Sequence, residues 1–154
     1  MVFRTAYRIT GNAADAEDVL QTVFLRLLRR GPQEAMENDE AYLRRAAINA
    51  ALDVMRLRQS ARTVELVDLP SSGSNSTGEN SYALRRALGH ALAQLKPRPA
   101  EIFTLRFLEG LSNLEIAQML GISQVLVAVS LHRTRLQLRK ELSSYFGSRP
   151  GGRP

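Results

Sequence analysis

The segment from Ser112 to Arg139 has the pattern of two short helices joined by a tight turn, and it constrains the fold more than any other stretch. Ser112 precedes a helical pattern with Glu115 three residues later, which predicts a reciprocal capping box. Gly121 ends that pattern, where a helix stop needs a residue that tolerates a positive φ angle. Ser123 then caps a second predicted helix. The sequence therefore predicts a helix-turn-helix.

The second of these helices has one apolar stripe and a basic remainder. The stripe repeats at spacings of four, three and four residues, at Val127, Leu131, Thr134 and Leu138. The basic residues lie off the stripe, at Arg133, Arg135, Arg139 and Lys140. A basic helix after a tight turn is typical of a helix that enters the DNA major groove. The alternative is an ordinary helical hairpin with a solvated basic end.

The charge of the chain is unevenly spread. Its 154 residues carry a net charge of +6, and residues 81–154 hold eleven basic and four acidic residues, whereas residues 64–80 hold three acidic residues and no basic one. A basic half around a predicted helix-turn-helix favours a polyanionic partner over a simple contribution to solubility. The chain has no cysteine and only two histidines, His90 and His132, far apart in the sequence. We therefore expect no zinc finger, no disulfide, no metal site and no cofactor.

The sequence also bears on the compartment. It lacks both an apolar run of the roughly 18 residues needed to span a membrane and the long apolar stretch of a signal peptide. We expect a cytoplasmic protein without a membrane partner.

Helical periodicity recurs along the chain, and we predict an all-α fold of two small helical domains joined by a flexible linker. The first domain covers residues 1–63, with helices over 1–9, roughly 13–30 and about 38–61. The second covers residues 81–146, with helices over 82–95 and 99–108 before the helix-turn-helix at 112–139. Residues 64–80 are rich in Ser, Gly and Asn and are predicted to be the linker. Residues 147–154 are predicted to be a disordered tail.

The spacing of apolar residues predicts which side chains face the core. In the first helix these are Phe3, Ala6 and Tyr7. Asn12 is expected to cap the 13–30 helix, whose inward residues are Ala16, Val19, Leu20, Val23, Phe24, Leu27 and Leu28. In the third helix the stripe is Leu43, Ala46, Ala47, Ala50, Ala51, Val54 and Leu57. In the 82–95 helix it is Leu84, Leu88, Ala91, Leu92 and Leu95.

Three segments together resemble one family. They are AYRITGNAADAEDVLQTVFLRLLRR, AYLRRAAINAALDVMRLRQSAR, and LKPRPAEIFTLRFLEGLSNLEIAQMLGIS continuing to LHRTRLQLR. The chain resembles the extracytoplasmic-function (ECF) sigma factors of bacterial RNA polymerase, the first two segments matching region 2 and the third region 4. The resemblance implies a non-catalytic subunit that binds core polymerase and promoter DNA, directs transcription initiation, and is often held by an anti-sigma factor.

The resemblance assigns roles to residues of the first domain. Glu17, Asp18, Gln21 and Phe24 match the segment that binds the clamp helices of the polymerase β′ subunit. Asn49, Asp53 and Arg56 match the helix that meets the −10 element, where a base is flipped out and held, at a cost of a few kcal/mol. A helix-linking Asn49 and an Asp53 that pairs with a nearby arginine are the structural alternatives. As a set, the arginines of this helix suggest a track for the opened strand, or else a solvated face: Arg44, Arg45, Arg56, Arg58 and Arg62.

For the second domain the resemblance implies binding to the −35 element and to the β flap. The candidate DNA-binding residues are Ser123, Gln124, Val125, Leu126, Ala128, Val129, Ser130, His132, Arg133 and Arg135. Many relatives carry threonine, lysine and arginine where this chain has Leu126, Ala128 and Ser130. We expect backbone contacts to dominate, with apolar readout of thymine methyl groups by Val125 and Val129. Packing of these valines against the preceding helices or a protein partner is the alternative.

Two other functions compete with a sigma factor. A helix-turn-helix regulator that never engages core polymerase would use the same DNA-binding segment. A nuclease or recombinase would need clustered carboxylates, but one helix turn cannot aim Asp15, Glu17 and Asp18 at one ion. Family members also usually have about one more helix before the part matching Phe3 to Tyr7, so we expect a truncated first helix or a misassigned start.

Overall fold

The computed structural model of the protein describes residues 1–30, 39–64 and 77–146, without the side chains of residues 62–64, 77–82 and 144–146. Within these ranges all the regular structure is α-helical, which confirms the predicted fold class. The helices are α1 (Val2–Thr10), α2 (Ala13–Arg30), α3 (Asp39–Val64), α4 (Thr77–Gln94), α5 (Pro97–Phe107), α6 (Asn113–Leu120) and α7 (Gln124–Phe146). Most of the predicted linker and the whole predicted tail lie outside the described residues.

Two adjacent residues end α1 and begin α2. Gly11 has a φ angle of 66°, and its N–H donates to the Tyr7 carbonyl, which closes α1 with a left-handed cap. The Asn12 Oδ1 accepts hydrogen bonds from the N–H groups of Ala14 and Asp15, at 2.8 and 3.3 Å. These bonds satisfy two of the free N–H groups of α2 and confirm the predicted cap.

Residues Met1–Ala93 form the first of two compact units. Its core is made by Ile9 of α1, Val19 of α2, and Ile48, Leu52 and Met55 of α3, all at most 1% exposed. The stripe predicted for α3 is therefore partly wrong, since Leu57 is 71% exposed while Ile48, Leu52 and Met55 were missed. Leu43 and Val54 are only half-buried. An alanine-rich helix offers two overlapping apolar stripes, and the larger side chains of one of them occupy the core.

Helix α2 buries a narrower stripe than its sequence predicts. Ala16, Val19 and Val23 are buried, but the other four residues expected inward are exposed: Leu20, Phe24, Leu27 and Leu28. Phe3 of α1 is also exposed, at 39%, and stacks on Tyr7 with ring centroids 6.2 Å apart. The prediction of these residues as inward is wrong, because α1 and α3 cover only one side of α2.

Helix α4 lies in the first unit, whereas the sequence placed it with the second domain. Ala91 and Leu92 are buried as predicted, and Leu84 is 50% exposed; Leu95, also buried as predicted, follows the end of α4 and belongs to the second unit. Gly89 approaches the carbonyl of Ile9 so closely that a Cβ there would overlap its oxygen. The absence of a side chain at this position is what lets α4 pack against α1.

The second unit, Gln94–Pro154, contains α5, α6 and α7. The predicted stripe of α7 is confirmed, because Val127, Leu131, Thr134 and Leu138 are all buried. They pack in a core with Leu105 of α5 and Ile116 of α6. Of the described helices, none alone is long and apolar enough to cross a membrane, although α6 and the stretch Gln124–Ser143, bent by 109°, together meet the length and composition required.

Candidate nucleic-acid interface

The turn between α6 and α7 is built as the sequence predicts. Ser112 Oγ accepts from the Glu115 N–H at 3.1 Å, and Glu115 Oε1 accepts from the Ser112 N–H at 3.2 Å, which confirms the capping box. Gly121 has a φ angle of 67° and caps α6. Ser123 Oγ accepts from the Leu126 N–H at 3.1 Å and caps α7. These local bonds fix the direction in which α7 leaves the turn.

The first turns of α7 present apolar side chains to solvent. Val125 is 70% exposed, Leu126 57% and Val129 41%. All three side chains are therefore accessible, although Leu126 and Val129 also border Lys96 and Pro99, so packing against the preceding helices stays an alternative for Val129. Gln124, Ala128, His132 and Arg133 are exposed on the same helix. The candidate DNA-binding residues thus spread over the exposed part of α7 and onto both of its flanks.

Two grooves flank this exposed part of α7 within the second unit. One, of about 230 Å³, is lined by Arg106, Asn113, Ala128, Leu131, His132 and Arg135. The other, of about 500 Å³, is lined by Gln94, Lys96, Pro99, Leu126, Val129, Ser130, Arg133, Thr134 and Gln137. Each groove holds two basic side chains, one from α7 and one from outside it. The basic residues outside α7, Arg106 and Lys96, were missed at the sequence level, because only the fold brings them beside α7.

Arg135 is held in place by an aromatic ring. Its guanidinium lies 4.7 Å from the centroid of Phe107, and that of Arg106 lies 5.7 Å from the same ring. Such contacts are favourable because the face of an aromatic ring carries negative charge. Arg133, by contrast, is exposed on the other side of the helix.

The residues assigned to polymerase binding form a solvent-facing surface on α2. Glu17, Asp18 and Gln21 are exposed, and Phe24 is 59% exposed. Leu28, one turn after Phe24, is 64% exposed. We call these five residues the α2 surface. It combines acidic, amide and large apolar groups, which suits a protein partner better than solvent alone.

The residues assigned to the −10 element are more buried and make more contacts within the protein than the α2 surface. Asn49 is half-buried. Arg56 Nη1 donates to Asp53 Oδ1 at 2.9 Å, so the structural alternative for Asp53, pairing with a nearby arginine, is what the structure contains. Arg56 Nε also donates to the Ala93 carbonyl at 3.1 Å.

Arg58 is engaged inside the first unit. Its Nη2 lies 2.6 Å from Oδ1 of Asp15, a carboxylate that is 6% exposed, whereas the arginine side chain is 39% exposed. This ion pair argues against Arg58 as a strand contact and gives the buried Asp15 carboxylate a partner. Arg44 pairs with Glu40 at 2.9 Å. The side chain of Arg62 lies outside the described residues.

Comparison with known proteins agrees with this geometry. The family model for Sigma-70 region 2 matches residues 1–63, and that for Sigma-70 region 4 matches residues 85–138. RNA polymerase sigma-E factor of Streptomyces avermitilis is 34% identical over 144 residues, covering 93% of this chain and 79% of that protein. The chain belongs to the ECF sigma factors of bacterial RNA polymerase.

Two further relatives extend the comparison. The ECF RNA polymerase sigma factor SigE of Mycolicibacterium smegmatis is 34% identical over 151 residues, and the match covers 94% of this sigma factor but only 58% of that protein. The sigma factor RpoE of Bartonella quintana, solved in complex with the anti-sigma factor NepR, matches with a TM-score of 0.51 at 18% identity. That match covers 92% of this sigma factor and 89% of the other chain, and it supports the fold.

Proposed function

We propose that this sigma factor directs core RNA polymerase to promoters as a binding subunit with no catalysis of its own, acting in the cytoplasm. Region 2 meets the −10 element and region 4 the −35 element. The observation that carries this proposal is the α2 surface, where Phe24 and Leu28 stand exposed beside acidic and amide groups. A regulator that never engages polymerase has no need of such a surface, so the polymerase-free alternative is not favoured.

The α2 surface is proposed to anchor the polymerase β′ clamp helices. A double variant, Asp18→Ala with Gln21→Ala, tests this by co-elution with core polymerase on a sizing column. We expect the double variant to lose most of the complex while keeping its helicity, because both side chains are exposed. Arg26→Ala is the matched control, since Arg26 is exposed on α2 but outside the α2 surface. Undiminished co-elution of the double variant would remove the β′ assignment.

Region 4 is proposed to bind the −35 element through phosphate contacts and apolar readout. Val125 and Val129 lie one turn apart and are exposed, so they are available to thymine methyl groups but cannot bond to guanine. Binding of the full chain to a series of −35 variants at fixed salt should show a shallow preference for A·T pairs. Strong selectivity for one G·C pair would contradict this.

The position of Val129 is tested separately. Val129→Lys should raise affinity for all sequences and change their ranking, since the lysine adds a cation beside the bases. Leu136→Lys adds the same charge two turns further along α7, at a residue that is also exposed, and should leave the ranking unchanged. If both lysine variants behave alike, residue 129 does not face the bases.

Region 2 is proposed to hold the opened −10 strand with Asn49 at a base edge and Arg56 at the backbone. Arg56→Glu should reduce open-complex formation, read by permanganate reactivity of thymines at −10. Persistent reactivity would contradict the assignment. The β flap and an anti-sigma factor are partners predicted from the resemblance. Affinity purification of the tagged full chain from cells that also contain core polymerase tests both.

A further inference from the structure

Helix α4 is fastened to the first unit at its C-terminal end. Gly89 packs on the Ile9 carbonyl of α1, and a Cβ built on Gly89 would lie 2.9 Å from Cε of Met55 in α3. Gln59 Nε2 donates to the His90 carbonyl at 2.9 Å, and Arg56 Nε donates to the Ala93 carbonyl. The last carbonyls of a helix have no partner within it, so the Arg56 bond to Ala93 caps the end of α4, and the Gln59 bond to His90 adds a second link from α3 about one turn earlier.

The same packing engages a residue assigned to DNA. Arg56 uses its Nε on the end of α4 and its Nη1 on Asp53, while its Nη2 is buried without a hydrogen-bond partner. A buried donor of a charged group left unsatisfied is costly. The docked arrangement therefore satisfies two of the three Arg56 nitrogens and leaves Nη2 without an acceptor, and a phosphate oxygen is an acceptor that would complete the set.

The family match assigns part of α4 to region 4, although α4 packs within the first unit. The region 4 match begins at residue 85, so residues 85–93 carry the pattern of region 4 while they pack within the first unit. A segment that matches one domain and docks on the other has two sets of contacts available to it.

We propose that α4 is an autoinhibitory clasp, whose C-terminal end docks on α1 and α3 and withholds Arg56 from the −10 strand. The proposal rests on the assignment of region 2 to that strand. Undocking exposes the guanidinium, so strand binding and α4 docking compete. When only a fraction of the molecules is undocked, the apparent affinity for the strand falls by that fraction.

The clasp is tested with Gly89→Leu, which places a side chain where the Ile9 carbonyl lies. Ala83→Leu is the matched control, because it adds the same side chain to an exposed position of α4. Two quantities are measured on the full-length chain. Hydrogen–deuterium exchange of peptides covering residues 84–95 reports docking. Fluorescence anisotropy with a labelled random-sequence single-stranded DNA of 16 nucleotides reports strand binding.

For Gly89→Leu we expect faster exchange of the α4 peptides and about tenfold tighter binding of the DNA strand, as release of a mostly docked population gives. Ala83→Leu should change neither. Gln59→Ala removes one of the two hydrogen bonds from α3 to α4 without adding bulk, so it should shift both readouts in the same direction by a smaller factor. It keeps the test valid if the leucine variant fails to fold, which circular dichroism would reveal.

Three results would overturn the clasp. Unchanged exchange in both α4-releasing variants would mean that α4 is not docked in solution. Faster exchange with unchanged DNA binding would mean that docking does not compete with the strand. If no variant binds the DNA strand but exchange of the α4 peptides still becomes faster, the assignment of region 2 to the strand is wrong. The docking of α4 would then be real, but it would not regulate strand binding.

Discussion

The arginines of α3 and those of α7 look alike in the sequence and differ in the structure. Both helices carry several arginines off an apolar stripe. In α3, Arg56 and Arg58 are bonded to carboxylates and a carbonyl of the first unit. In α7, Arg133 and Arg139 are exposed, and the described part of the chain offers them no ion pair. A run of basic residues on a helix is thus evidence of availability to DNA only where the fold supplies no acceptor.

The comparison predicts that Arg58 matters most for stability. Arg58→Ala leaves the Asp15 carboxylate buried without its partner, and we expect a loss of about 2–3 kcal/mol in the free energy of unfolding, somewhat below the value for a fully buried pair because Arg58 is partly exposed. Urea denaturation followed by circular dichroism measures it. Arg133→Ala is the control and should change stability by less than about 0.5 kcal/mol. Equal losses in the two variants would mean that the arginines of α3 and α7 do not differ in their contribution to stability.

The opposite effect is expected on DNA binding. Replacing Arg133 and Arg139 with glutamate should weaken binding to duplex DNA at least about tenfold and lower the slope of log affinity against log salt by about two, one for each phosphate that is no longer neutralised. Stability should not change, since both side chains are exposed. The titration is run at several salt concentrations. An unchanged slope would place the two arginines away from the phosphates.

The turn that orients α7 should have a smaller effect. Ser112→Ala removes one side of the capping box, and we expect a loss of about 1 kcal/mol in unfolding free energy. Ser143→Ala, which removes a hydroxyl that donates to Lys140 near the end of α7, is a control with less expected effect. DNA affinity measured alongside would show whether the cap also positions α7.

The smallest effect is expected at the exposed pair of α3. Asp53→Ala breaks the ion pair with Arg56, but its carboxylate is 58% exposed, so we expect a change below about 0.5 kcal/mol. Thermal unfolding measures it. A larger loss would mean that Asp53 helps Arg56 to cap α4. The Asp53–Arg56 pair would then contribute to stability as the Asp15–Arg58 pair is expected to.

The sequence predicts well whatever depends on near neighbours. The cap at Asn12, the capping box at Ser112 and the turn at Gly121 each rest on residues at most a few positions apart, and all three are confirmed. The stripe of α7 is also confirmed, since Val127, Leu131, Thr134 and Leu138 follow helical spacing and are all buried.

The features that were missed depend on distant parts of the chain. Asp15 and Arg58 are 43 residues apart, and nothing in the local pattern of either predicts their pairing. The excess of apolar residues on α2 gives no sign of which ones α1 and α3 will cover. The close approach of α4 to α1 at Gly89 likewise depends on a residue that is far away in the sequence, Ile9. The roles of the site residues remain predictions.

Phe107 has a consequence for how region 4 would bind. The ring restrains Arg135 before any partner arrives, so this side chain has fewer rotamers to give up on binding than Arg133 or Arg139. A guanidinium over a ring face can still direct N–H groups to an acceptor. If α7 binds a polyanion as proposed, its affinity would depend in part on a residue at the end of α5. Phe107 would then lower the entropic cost of binding from a position outside the contact surface.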